Sequence, residues 1–256
     1  MSVNVRQLQQ TFRALRNLSR EATEDDAWFE PTRAAQLEFI PAVARSKRIV
    51  YAAKLTLCSR LMESGVGLPK SVAMLSRVGL LTRPYADFVR REARATGAEI
   101  GYVGDLDPFG LSIYLSLVAG GFDRDPVVER TQDVRYLGVS DPWLAICRQE
   151  SLSELRHRKS GAATLQVPLT PFQSRHLEIL EDSGIPWDAI VGPEAMGILR
   201  GGSCIALELA CNPAHYGPGF MGRIHRYLNG PVHRSGRSDM AGRVLPTKRP
   251  RRLHLR

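Results

Sequence analysis

The chain has 256 residues and a formal net charge of +9, and that charge sits at one end. Residues 223–256 carry ten Lys and Arg against one acid, Asp239, while residues 1–222 hold 25 of each sign. With 43% hydrophobic and 24% charged residues, the composition excludes a disordered protein. The most apolar stretch, 111–122, falls short of the roughly 20 residues a spanning helix needs and excludes a membrane protein. A neutral body of this length suits one medium α/β domain, and a basic end suits a polyanion held largely by electrostatics. The N-terminus, VNVRQLQQTFRALRNLSR, lacks the apolar core of a secretory signal. Cysteines at 58, 147, 204 and 211 suggest no disulfide framework, so a cytoplasmic, reducing setting is expected.

In chain order, Leu8, Phe12 and Leu15 fall on one face of a helix over 5–22, followed by a polar break. A second short helix is expected over 31–44, entered through Pro31. RIVYAA (48–53) reads as a buried strand, 54–64 as a helix ending at Gly65, 71–75 as a second strand and 83–95 as a helix before Gly97. EIGYVGD (99–105) is the clearest strand; it runs into a helix that Asp107 caps, with Pro108 at its first position and Gly120-Gly121 at its end. The pattern recurs at 134–139, followed by Asp141-Pro142 and another helix. This alternation predicts a sheet of about four mainly parallel strands flanked by helices. Thr170 and Gln173 mark a capping box opening a helix over 171–182, and a further helical stretch is expected from Pro193 through Ala210. The divisions are a helical N-terminal extension (1–46), the α/β domain (47–222) and a basic, disordered tail (223–256).

The most informative segment is GYVGDLDPFG (101–110). A strand ending in D-x-D projects both carboxylates to one side, because side chains alternate. Placed at the carboxyl edge of a parallel sheet, where open α/β sheets bind ligands, Asp105 and Asp107 repel one another. A hard divalent cation relieves that repulsion, and Mg²⁺ is held by one or two carboxylates with waters and phosphate oxygens. Gly110 keeps the helix start bare. The alternative is structural, with Asp107 capping its helix and Asp105 serving a turn.

GDLDPFGLSIY resembles the acidic motif of Toprim domains, most closely that of the topoisomerase VI A subunit and the related meiotic double-strand-break protein. RIVYAAK (48–54), RVGLLTRPYADFVRR (77–91), YLGVSD (136–141), VPLTPFQSRHLEIL (167–180) and, more loosely, GGSCIALELA (201–210) resemble further segments of that family in the same order. The resemblance covers roughly 47–210 and implies a Toprim-like, Rossmann-like fold, Mg²⁺ held by Asp105 and Asp107, and phosphoryl transfer on DNA. Two departures stand out. Toprim domains carry a glutamate at the end of the first strand, where this chain has Ala52, Ala53 and then Lys54. Lys54 is expected to neutralise the aspartates or contact a phosphate; Glu38 and Glu63 are substitutes by sequence proximity alone. The relatives also attack DNA with a tyrosine on an upstream winged-helix domain, for which the residues before the match leave no room.

The resulting expectation is a DNA-binding or DNA-processing protein with Asp105, Asp107 and Lys54 at its site. Its cytoplasmic location would be with the nucleoid, and it would act with a partner subunit in DNA cleavage or topology change. Expected partners are DNA, an ATPase or tyrosine-bearing subunit, and a second copy of the chain. Arg223, Arg226, Arg234, Arg237, Lys248, Arg249, Arg251 and Arg252 are the expected nucleic-acid contacts. The competing readings are a catalytically degenerate Toprim acting as a DNA-binding or assembly subunit, and a relative of the Wadjet-type defence nuclease. Weaker signals are discounted. GPGFMG (217–222) follows no strand, Cys204, Cys211, His215 and His225 lack a compact zinc spacing, and no P-loop occurs. The histidines are expected on helix surfaces or in the tail, the tryptophans in the core. Tyr227 is expected either to stack on nucleic acid or to belong to a last docked turn.

Overall fold

The computed structural model describes residues 4–21, 38–77, 79–127, 132–154, 165–212, 215–217 and 219–230. Helix α1 (Val5–Ser19) buries Leu8, Phe12 and Leu15, with Asn4 capping its start. Its stripe packs on a later helix, α6 (Pro171–Glu181), and Phe12 meets Phe122 with ring centroids 5.1 Å apart. The helix expected over 31–44 is corrected in part: Glu38–Ile40 form strand β1, while 31–37 lie outside the described residues. Those three residues pair antiparallel with β3 (Val72–Ser76), so an open sheet edge overrides the local helical pattern.

The remaining strands are β2 (Arg48–Ala52), β4 (Glu99–Val103) and β5 (Val134–Tyr136), and the five-stranded sheet runs β1-β3-β2-β4-β5. All pairings but the β1 edge are parallel. Every residue of β2 and β3 is buried, as expected for strands covered on both faces. Helices α2 (Thr56–Glu63), α3 (Arg83–Thr96) and α4 (Pro108–Ala119) make the crossovers. The chain moves from β2 outward to β3 and then back across to β4, so right-handed connections put α2 on one face and α3 and α4 on the other. That reversal leaves a crevice at the carboxyl ends of β2 and β4.

Helix α4 is apolar all round and every residue in it is buried, which marks a helix enclosed by other elements. It packs against α6 (Pro171–Glu181), whose Thr170–Gln173 capping box is complete. Tyr51, Tyr102 and Tyr136 lie side by side across β2, β4 and β5 with Tyr114 of α4 against them, an aromatic layer beneath the crevice.

After α5 (Asp141–Glu154) come β6 (Gln166–Pro168), α6, α7 (Trp187–Ile190) and α8 (Pro193–Arg200). The single helix expected from Pro193 to Ala210 is corrected. It breaks at Gly201-Gly202 into β7 (Ser203–Ile205), antiparallel to β6, and the short α9 (Leu207–Ala210). The tail boundary is corrected as well, because α10 (Phe220–Asn229) runs through it and buries Phe220, Met221, Ile224 and Leu228. Tyr227 belongs to that docked helix, its ring edge-on to the buried Trp143 at 6.2 Å. Trp187 is also buried, and Trp28 lies outside the described residues. All four cysteines are free. Among the described residues no helix is long and apolar enough to cross a membrane.

Candidate functional site

Strand β4 ends at Val103, and the turn Gly104–Asp107 carries the two acids to the crevice. Leu106, fully buried, exchanges backbone hydrogen bonds with Ile205 at the end of β7, its N–H donating at 2.9 Å and its carbonyl accepting at 3.0 Å. The bridge keeps the turn extended, so Asp105 and Asp107 flank Leu106 and lie on the opposite side from it. Close backbone approach also needs bare glycines. A Cβ on Gly138 would stand 2.6 Å from the Gly104 carbonyl oxygen, and one on Gly110 would stand 2.5 Å from that of Asp105.

Asp107 is the N-cap of α4; its Oδ1 accepts from the Gly110 N–H, and Pro108 takes the first helical position. Desolvation, then the charge of Asp105, push its carboxyl up to about 7, against the opposing pull of the Gly110 N–H and Lys54. Asp105 Oδ1 accepts from the Leu207 N–H at 2.7 Å, and its carbonyl accepts from the Tyr136 hydroxyl at 3.0 Å. Its Oδ2 pairs with Lys54 Nζ at 3.0 Å. Lys54 follows the end of β2, and the crevice thus gathers all three residues expected at the site.

Lys54 has a second partner that the sequence reading missed, Glu208 in the first turn of α9, at 2.8 Å. Burial alone would lower the pKa of the Lys54 ammonium, but Asp105 and Glu208 outweigh it and hold that pKa well above the ordinary lysine value. The signal that could have found Glu208 is the Gly201-Gly202 break, which makes it the opening of a new element instead of mid-helix. Glu38 and Glu63 do not take part. Glu38 is on the exposed β1, two strands from β2, and Glu63 pairs with Arg60.

The other expected residues scatter. Arg223 lies on α10 and donates to Gln149 Oε1 at 2.6 Å, and Arg226 is exposed in the last turn of that helix. Arg234, Arg237, Lys248, Arg249, Arg251 and Arg252 lie outside the described residues. The expectation of surface histidines is corrected at His176, which is buried with Nε2 2.7 Å from the Ser112 hydroxyl. Burial pushes its pKa down to about 3. The repeated Asp-Pro at 141 is structural, because Asp141 accepts from the Ala195 and Glu194 N–H groups and ties α8 to α5.

The donor set of Asp105, Asp107 and Glu208 is all hard oxygen, the chemistry Mg²⁺ takes, and Asp107 spends one oxygen on its helix. Lys54 occupies the space between Asp105 and Glu208, and among the described residues no three His, Cys, Asp or Glu side chains form a ready-made metal cage. No protein-family model matches the chain, and no curated protein matches its sequence.

Proposed function

We propose that the protein binds DNA and that its crevice supports phosphoryl transfer on the DNA backbone, in a Toprim-like setting with Mg²⁺ at Asp105 and Asp107. The observation that carries this reading is the placement of two neighbouring carboxylates, one with a raised pKa, at the reversal point of a parallel sheet. A bound cation would stabilise charge developing on the phosphate oxygens. The chain's own part is to hold that cation through Asp105 and Asp107 and to offer Lys54 to a phosphate. The attacking group is water or belongs to a partner subunit, and an ATPase or tyrosine-bearing subunit is the partner this chemistry calls for. The reading also places the protein with cytoplasmic DNA.

A second reading has its own support. β2 ends in alanines and Lys54 already compensates Asp105, as in a scaffold that binds DNA without cutting it. Supercoiled plasmid incubated with the protein and Mg²⁺ or Mn²⁺ separates the two. Metal-dependent nicking, lost in Asp105→Ala and Asp107→Ala, supports the enzyme; DNA binding with no nicking supports the scaffold.

A further inference from the structure

Three segments meet at the amino end of the sheet, opposite the crevice. The connection from β1 to β2 runs past the turn before β3. There the Ala44 N–H donates to the Lys70 carbonyl at 2.8 Å and the Lys47 N–H to that of Ser71 at 2.8 Å. The end of α10 is tied to the same place. Ser71 Oγ donates to Asn229 Oδ1 at 2.8 Å, and the buried Arg48 donates to the carbonyls of Leu228 and Gly230. These bonds fix 41–48, 69–72 and 225–230 as one surface.

Its charge is of one sign. The three segments hold Arg45, Lys47, Arg48, Lys70 and Arg226 and no acid. Glu99, which starts β4 beside them, lies 3.5 Å from Arg48 and is matched by it. Arg45, Lys47, Lys70 and Arg226 are exposed, and none of them forms an ion pair among the described residues. Cations gathered without counter-charges raise a local positive potential that draws a polyanion. The most basic stretch of the chain starts from the same surface. Residues 231–256 follow Gly230, whose carbonyl Arg48 holds at 3.2 Å, and carry eight Lys and Arg against one acid. Among the exposed side chains of the three segments only Val43 is a large apolar one. The surface therefore lacks the aromatic anchors of a protein interface and the apolar face that seats a protein in lipid. A line of phosphates is the polyanion that cations spread over a surface and along the segment continuing it would meet.

We propose that the amino end of the sheet is a docking surface for the phosphate backbone of duplex DNA, formed by Arg45, Lys47, Lys70 and Arg226 and continued by the basic segment after Gly230. The proposal rests on the reading that the protein binds DNA. It assigns the grip on the duplex to the folded domain as well as to the basic segment, and to the end of the strands away from the acids. Because the contacts go to phosphates, the surface holds DNA without regard to base sequence.

The test is the affinity of the full chain for a labelled duplex, read by fluorescence anisotropy over a series of salt concentrations. The triple variant Arg45→Gln, Lys47→Gln, Lys70→Gln should bind about tenfold or more weakly at moderate salt, with a slope of log affinity against log salt shallower by about 3. Arg45→Lys, Lys47→Arg, Lys70→Arg together keep the charges and should match wild type. Arg6→Gln, Arg20→Gln, Arg91→Gln together remove three exposed arginines elsewhere on the domain and should leave the slope near wild type. If wild type binds the duplex and the first variant matches it, or the distant variant loses as much, the surface is overturned while DNA binding stands. If wild type does not bind the duplex at low salt, whether or not it binds vesicles containing phosphatidylserine, the DNA reading falls and takes the proposal with it.

Discussion

The two ends of the parallel strands are built for opposite purposes. At the carboxyl end, Asp105 and Glu208 pair with one lysine in a crevice, with Asp107 two residues beyond Asp105. At the amino end, the buried Arg48, first residue of β2, donates to the carbonyls of Leu228 and Gly230 and lies 3.5 Å from Glu99. It fixes the end of α10, and the basic segment beyond Gly230 begins there. A five-residue strand spans about 17 Å, so the charge that dominates the composition starts well away from the acids. The difference teaches that the net charge and the local excess of carboxylates are separate features of the chain, so a polyanion interaction proposed from the first can be tested apart from chemistry proposed from the second.

The largest expected effect tests that separation directly. Deleting 231–256 removes eight Lys and Arg and should lower DNA affinity by on the order of a thousandfold at moderate salt, with a slope of log affinity against log salt shallower by about 7. Asp105→Asn should leave both quantities near wild type in fluorescence anisotropy titrations. Equal losses in the two variants would break the comparison. Next, Arg48→Met leaves two carbonyls and Glu99 without their buried partner and should cost about 3 kcal/mol in urea unfolding; a cost near zero would remove the clamp from the account.

A smaller effect should be confined to the acid end. His176 holds α6 to α4, the helix that starts at Asp107. Its folded pKa of about 3 lies below the ordinary value near 6.5, so protonation favours the unfolded chain. The contribution is complete above pH 6.5 and is lost as pH falls from there toward 3. At pH 5 the loss amounts to about 2 kcal/mol. Hydrogen exchange should show α4 loosening before β2 and α10, and His176→Gln should flatten the stability profile between pH 7.5 and 5. Smallest of all, Asp141→Ala removes the acceptor at the start of α8 and should cost about 1 kcal/mol, with no change in Mn²⁺ affinity.

What could be read in the sequence follows how local each signal is. β4 and α4 were legible because their signals are contiguous: an apolar run, then Asp107 as cap, Pro108 at the first position and Gly120 at the end. The capping box at Thr170 was legible for the same reason. β7 was not, because SCI is apolar enough for helix or strand and becomes a strand only by meeting β6. β1 depends in the same way on the free edge of β3. At the site, the aspartates could be named because they stand where a predicted strand runs into a capped helix, and Lys54 because it directly follows the first predicted strand. Glu208 could not, since it reaches Lys54 through a bridge between Leu106 and Ile205, and His176 was hidden because only the packing of α6 on α4 buries it.

That bridge sets an order of assembly. Leu106 and Ile205 are about a hundred residues apart, so closing the loop between them costs chain entropy that only a nearly complete domain repays. A chain still emerging from the ribosome with β4 and α4 already made carries Asp105 and Asp107, but not the backbone N–H of Leu207 or the carboxylate of Glu208. The crevice is therefore among the last parts of the domain to mature, and its arrangement serves as a built-in report that the C-terminal third has folded.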